Sequence, residues 1–209
     1  MVIKKITPRV CFYITLFVFL SSVSIFKSLF YGNVVAKPRI EKELQEIVYL
    51  QTSDGCRISI KLLSDVAPNH VNRIKELCKS HFYDGLNFHR VIKGFMAQAG
   101  GKDGNMNYGS GKKIKAEFSN MKHVRGIVSM ARASDPNSAD SQFFIVTKDS
   151  PFLDNQYSIF GMVIDGMDCV DKIKSGSENE NGIVNSPTKI ISARIAIEAE
   201  IENAKNKKD

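Results

Sequence analysis

One cation, two amides and a set of large apolar side chains dominate two short stretches of this chain. The first reads Phe88-His89-Arg90-Val91-Ile92-Lys93-Gly94-Phe95-Met96-Ala97-Gln98-Ala99-Gly100-Gly101. The second opens at Gly126-Ile127-Val128-Ser129-Met130-Ala131-Arg132-Ala133 and resumes at Ser141-Gln142-Phe143-Phe144. Arg90 supplies a guanidinium that stays charged at every physiological pH and carries its N–H donors in a rigid fork. Gln98 and Gln142 can orient a ligand's main chain within an apolar cleft. These stretches hold no evident nucleophile, no carboxylate pair and no metal cage. The set suits a reaction in which no covalent bond is made or broken.

Rotation about the amide preceding a proline is such a reaction. The bond resists rotation because its C–N link has partial double-bond character, and unassisted exchange takes tens to hundreds of seconds. In the twisted state conjugation is lost and the prolyl nitrogen regains a basic lone pair. A donor aimed at that state, rather than at the planar amide, lowers the barrier. Arg90 is the natural donor. Ile92, two residues on, shares its strand face, whereas His89 points the other way and reads as a packed structural histidine.

The same residues resemble the cyclophilins, a family of prolyl cis/trans isomerases. The pattern Phe-His-Arg-x-Ile-x-Gly-Phe-Met-x-Gln-x-Gly is met from Phe88 to Gly100, and Gly-x-x-Ser-Met-Ala from Gly126 to Ala131. Ser-Gln-Phe-Phe-Ile follows at Ser141 to Ile145, and Leu-Asp-x-x-Tyr-x-x-Phe-Gly at Leu153 to Gly161. The resemblance runs from about Glu46 to Ile197. It implies a mainly β fold, a closed eight-stranded antiparallel β-barrel capped by two helices. It also implies Arg90 as the catalytic residue, and a proline pocket from Phe95, Met96, Phe144 and Leu153 flanked by Ile92. Gln98, Gln142 and the Ala131-Arg132-Ala133 backbone would hold the substrate main chain. Three positions depart from the best-known eukaryotic pattern: Arg132 for Asn, Phe152 for Trp and Tyr157 for His. All three resemble bacterial secreted cyclophilins. Loss of the indole N–H at Phe152 implies weak cyclosporin binding.

Other chemistries fail on spacing. His70, His81, His89 and His123 form no H-x-H or H-E-x-x-H pattern, so neither a metal nor a cofactor is expected. There is no G-x-S-x-G elbow. Gly109-Ser110-Gly111-Lys112 looks like part of a phosphate loop, but Met106 stands where its first glycine is required. It reads as a loop beside the cleft. The four cysteines, Cys11, Cys56, Cys78 and Cys169, include no C-x-x-C pair. An oxidising compartment would permit a disulfide; the plainer reading is buried small apolar side chains.

The elements that must position this set follow from periodicity. Ile47 to Gln51 reads as a strand, Ser53-Asp54-Gly55 as a hairpin turn, and Arg57 to Leu62 as an alternating strand. Pro68 opens a helix whose Val71, Ile74, Leu77 and Cys78 recur at helical spacing. Met167 to Lys174 reads as a second helix, Ser175 to Pro187 as a polar loop, and Lys189 to Ala199 as the closing strand. Many short strands with two helices suit a barrel with end caps.

The N-terminus stands apart. Lys4, Lys5 and Arg9 precede an uncharged run from Val10 to Phe26, and Val34-Val35-Ala36 offers small residues before Lys37. That is the layout of a secretory signal peptide; an anchor over residues 10–31 is the rival, since a membrane span needs ~20 apolar residues. Either form places the domain on the exported, periplasmic or lumenal side. The expected organisation is 1–36 signal peptide or anchor, 37–45 linker, 46–199 isomerase domain and 200–209 charged tail. The net charge is +7, but residues 1–36 carry four of the cations and no acid, leaving +3. No basic stripe interleaves with aromatics, so nucleic acid is not an expected partner. The expected partners are unfolded or proline-containing polypeptides, met by a monomer. A chaperone or scaffold that grips proline segments without turnover is the rival function, and a tethered envelope protein a third.

Overall fold

The computed structural model describes residues 38–102 and 109–207. The chain divides into two units, residues 1–43 and 44–209. Residues 38–44, expected as linker, are helical (α1). The expected signal peptide or anchor, and Met106, lie outside the described residues. Among the described residues no helix is long and apolar enough to cross a membrane.

The second unit is built on one antiparallel sheet in the order β3-β4-β6-β5-β7-β2-β1-β8. Its strands are β1 (Ile47–Thr52), β2 (Arg57–Leu62), β3 (Arg90–Ile92), β4 (Met96–Ala99), β5 (Ile127–Met130), β6 (Phe143–Val146), β7 (Ile159–Asp165) and β8 (Ile190–Ile195). The Asp54-Gly55 turn forms as read, with Gly55 at φ +74°. The expected closed barrel is here a curled sheet. β3 and β8 share no continuous ladder; an isolated bridge, Asn87 to Lys189, joins the chain just before each of them. Phe88 N–H donates to Thr188 O at 2.9 Å beside it. β3, with only three residues, is too short to complete the ladder.

Side chains alternate across a strand, and on β4, β5 and β6 both faces are covered. Val48, Leu50, Ile58, Ile60, Val91, Ala97, Val128, Ile145, Phe143 and Phe160 join the main core inside the curl. α2 (Pro68–Lys79) adds Val71, Ile74, Leu77 and Cys78 to it. Met96, Ile127, Phe144, Val146, Leu153 and Ile159 form a second, separate cluster. On β4, β5 and β6 these residues alternate with the inward ones. That is why β5 and β6 are buried at every position rather than at every second one.

α2 begins after Ala67, which has no side-chain acceptor for the exposed first-turn N–H groups. Glu117 supplies one from a distant loop. Its carboxylate accepts from Asn69 N at 3.1 Å and His70 N at 3.0 Å. A negative charge there is also favoured by the helix dipole. These donors, with His70, hold the Glu117 carboxyl below its usual range against the opposing effect of burial.

Two further expectations are corrected. The closing strand ends at Ile195, and Ala196–Asn206 forms a further helix, α4, which takes up most of the expected charged tail. The Ile195–Ile197 spacing mimics a strand, but the run that follows is rich in Ala and Glu, strong helix formers. The cysteines are not all free. Cys56 and Cys169 form a disulfide across 5.8 Å between Cα atoms, leaving Cys78 free and buried. Cys169 lies on α3 (Met167–Lys172), which starts at Gly166 with φ +86°. A Cβ on Gly166 would stand 2.3 Å from Arg57 O, so only glycine lets this helix press against the strand beside Cys56.

Candidate active site

Strand register assembles the site on the face opposite the main core. Arg90 lies opposite Gln98, Gln98 opposite Phe144, and Phe144 opposite Ser129. Directly opposed residues share a face, so this row runs from the guanidinium to the aromatic floor. The next row places Ile92 opposite Met96 and Met96 opposite Val146. Arg90 and Ile92 do share a face.

The row is linked by hydrogen bonds. Gln98 Nε2 donates to Gln142 Oε1 at 2.9 Å, and Arg90 reaches Gln98 Oε1 at 3.4 Å. Arg90 is half-buried, and burial pulls its pKa below the usual arginine value. Starting from so high a value, it stays charged. His89 is buried behind this row, and burial lowers its pKa, so it is a neutral packed ring.

The apolar part lies beside the polar row. Met96, Phe144 and Leu153 are buried, with Ile92, Phe95, Ala131 and Tyr157 packed around them. Phe144 and Tyr157 meet edge to face at 5.5 Å, and Phe95 and Phe152 meet at a tilt of 47°, 5.2 Å apart. Phe152 is 62 % exposed and forms a rim rather than a floor. Gln98, Ala131, Arg132, Ala133 and Gln142 line a cleft of about 450 Å³ that runs on to Gly109, Lys113 and Asp140. Gly109 to Lys112 thus begins beside the cleft; Ser110 and the Gly111 N–H bond Asp140. Arg132 is not free to swing across the opening. Its guanidinium stacks 4.7 Å from the Tyr157 ring centre and donates to the carbonyls of Gln156 and Ala133. The structure therefore brings all thirteen expected site residues to one region.

Sequence reasoning missed the supports. His123 is buried beneath Phe144, their rings stacked at 6.4 Å. Its Nδ1 faces Asp154 Oδ1 at 3.1 Å and its Nε2 faces Ser129 Oγ at 3.0 Å. Burial lowers the His123 pKa against the opposing pull of Asp154, so the ring is neutral. Asp154 falls to about 2, mainly because it accepts the His123 backbone N–H, with help from Lys122. Ser129 is fully buried, so the array is a brace under the floor and not a nucleophile triad. Asn181 was also missed. It accepts from Arg90 Nε through its carbonyl and from a terminal Arg90 nitrogen through Oδ1, each at 2.9 Å. Among the described residues no group of three or more His, Cys, Asp or Glu could hold a metal ion.

Comparison with known proteins agrees with this geometry. The family model described as cyclophilin type peptidyl-prolyl cis-trans isomerase/CLD matches residues 47–195. A probable peptidyl-prolyl cis-trans isomerase of Brucella suis is 49% identical over 163 residues, covering 72% of this chain and 83% of the relative. A peptidyl-prolyl cis-trans isomerase of Helicobacter pylori is 40% identical, covering 70% of this chain and 92% of its own. Among solved structures, a cyclophilin type isomerase of Cryptosporidium parvum, determined in the presence of the dipeptide Ala-Pro, superposes with a TM-score of 0.64 at 30% identity. That match covers 71% of this chain and 98% of the other.

Proposed function

The chain belongs to the cyclophilin-type peptidyl-prolyl cis/trans isomerase family, and from that premise we propose that Arg90 is its transition-state donor and that its substrates are exported polypeptides. The observation that carries the mechanism is the row Arg90–Gln98–Phe144, which sets a fixed cation beside an aromatic floor. The proline ring rests on Phe144, Met96 and Leu153, with Phe95 and Ile92 at its side. Gln98 and Gln142 orient the main chain, together with the backbone from Ala131 to Ala133. As the amide twists, its nitrogen turns pyramidal and accepts a hydrogen bond from Arg90. That bond exists only in the twisted state, so it raises the rate rather than ground-state affinity. A module that only gripped proline segments would have no need of such a donor.

Two features support export. The N-terminal layout is that of a targeting segment. The Cys56–Cys169 disulfide suits an oxidising compartment, since cytosolic thiols are kept reduced. Intact-mass analysis of native protein, after cell fractionation, is expected to show a chain beginning at Lys37 in the exported fraction. Full-length chain in the membrane fraction would replace cleavage with an anchor over residues 10–31. Full-length chain in the cytosol would overturn export.

Cyclosporin is expected to bind weakly, and Phe152→Trp to tighten it. Phe152 already stands exposed against Phe95, so a larger ring can be seated at the rim. Only Trp adds an N–H donor there. One such bond contributes about 0.5–1.5 kcal/mol, or roughly a few-fold to tenfold in affinity. Titrated inhibition of both proteins is the measurement. Potent inhibition of the unmodified protein, or no gain from Trp, would remove Phe152 as the determinant.

A further inference from the structure

Resting on the reading of Arg90 as the donor, we propose that Asn181 is a positioning residue for catalysis, fixing the plane of the Arg90 guanidinium. Nε–H donates to the Asn181 carbonyl and a terminal N–H donates to Asn181 Oδ1, both at 2.9 Å. Two contacts from one residue to two nitrogens of a planar fork set both its place and its plane. The contact to Gln98, at 3.4 Å, is too long to do this alone. The remaining N–H groups are the ones available to a twisted amide.

The local backbone explains how Asn181 offers both acceptors. It has φ +54°, and Gly182 follows with φ +80°. Two successive positive φ values match a type I′ turn, for which Asn-Gly is a preferred pair. The turn is held against β3 without help from the Asn181 side chain. Val91 N–H donates to Gly182 O at 2.8 Å, and Gly176 N–H donates to Val91 O at 2.9 Å. A Cβ at Gly182 would stand 2.5 Å from Ile92 Cγ1, so the turn touches the strand that carries Arg90. Among the described residues no carboxylate forms an ion pair with Arg90, and Asn181 is itself neutral. An amide therefore aims the guanidinium and leaves its charge for the substrate.

The test removes the side-chain acceptor and keeps the backbone one. Asn181→Gly keeps the backbone carbonyl and tolerates the positive φ. It is expected to lower kcat about tenfold, the effect of losing one bond to a charged donor, with KM changed less than twofold. The same substitution is then placed on an Arg90→Ala background. There it is expected to cost nothing further, because the residue acts only through Arg90. An equal fall on both backgrounds, or a rise in KM with kcat unchanged, would overturn the proposal in favour of a merely structural turn. Unchanged kcat for Asn181→Gly, with Arg90→Ala inactive, would overturn this inference and leave the donor reading intact. If Arg90→Ala itself turned over normally, both would fall.

Discussion

Arg90→Ala is expected to lose ~10²–10³ in kcat while the protein stays folded, the usual cost of removing a transition-state donor. The fold should survive because Arg90 is only half-buried and its partners, Asn181 and Gln98, lie outside the main core. Arg90→Lys should recover little. Lysine keeps the charge, but a point-like ammonium cannot satisfy both acceptors of Asn181 and still present a donor in a fixed plane. KM should move less than kcat in both variants, since the apolar floor is untouched. A protease-coupled proline-peptide assay, run beside circular dichroism, reads the result. Turnover near that of the unmodified protein, with an unchanged spectrum, would refute the mechanism.

The parts legible in the sequence were those encoded within a few residues. Alternation in Arg57 to Leu62 identified β2, and helical spacing from Val71 to Cys78 identified α2. The site residues were legible because the motifs that carry them are contiguous: Arg90 to Gln98 is one hairpin, and register brings its two ends opposite each other. What stayed hidden depends on pairs far apart in the chain. Arg90 and Asn181 are separated by 91 positions. Asn181-Gly182 could be read as a turn, but nothing local says which strand the turn will touch. His123 was legible as a histidine with no metal spacing. Its brace on Ser129 and Asp154 appears only once β5 and the segment after β6 are packed together. The end of β8 failed for another reason. Ile195 and Ile197 satisfy a period of two, and the choice of helix rests on the Ala and Glu residues after them.

The two faces of the sheet explain why this fold can hold a rigid cleft on its outside. Residues 97, 128 and 145 anchor β4, β5 and β6 to the main core, while residues 96, 127 and 146 pack the outer cluster. Neither cluster can shift without disturbing the other, because they alternate on the same strands. Preorganised donors and walls require such backing. Arg132, tied to Tyr157 and to the carbonyls of Gln156, Ala133 and Ser134, extends that rigidity to the rim.

Loss of the Cys56–Cys169 disulfide is expected to be the largest stability change available from a single covalent bond here. The bridge joins positions 113 residues apart, so it restricts a long loop of the unfolded chain. Removing a native disulfide costs about 2–5 kcal/mol in comparable domains. Each kcal/mol lowers Tm by roughly 2–4 °C at this size. The Cys56→Ser/Cys169→Ser double variant should therefore melt several degrees to some twenty degrees lower. A reductant should lower Tm of the unmodified protein similarly and leave the variant unmoved. Cys78 should not confuse the comparison: burial pushes its thiol up to about 12, so it stays protonated and unreactive. Activity at room temperature should be retained, because the bridge joins the β1–β2 turn to α3, whereas the site stands on β3, β4, β5 and β6. Melting curves that ignore both the reductant and the serines would show that the bridge does not form in the native protein, and one of the two supports for an exported location would go with it.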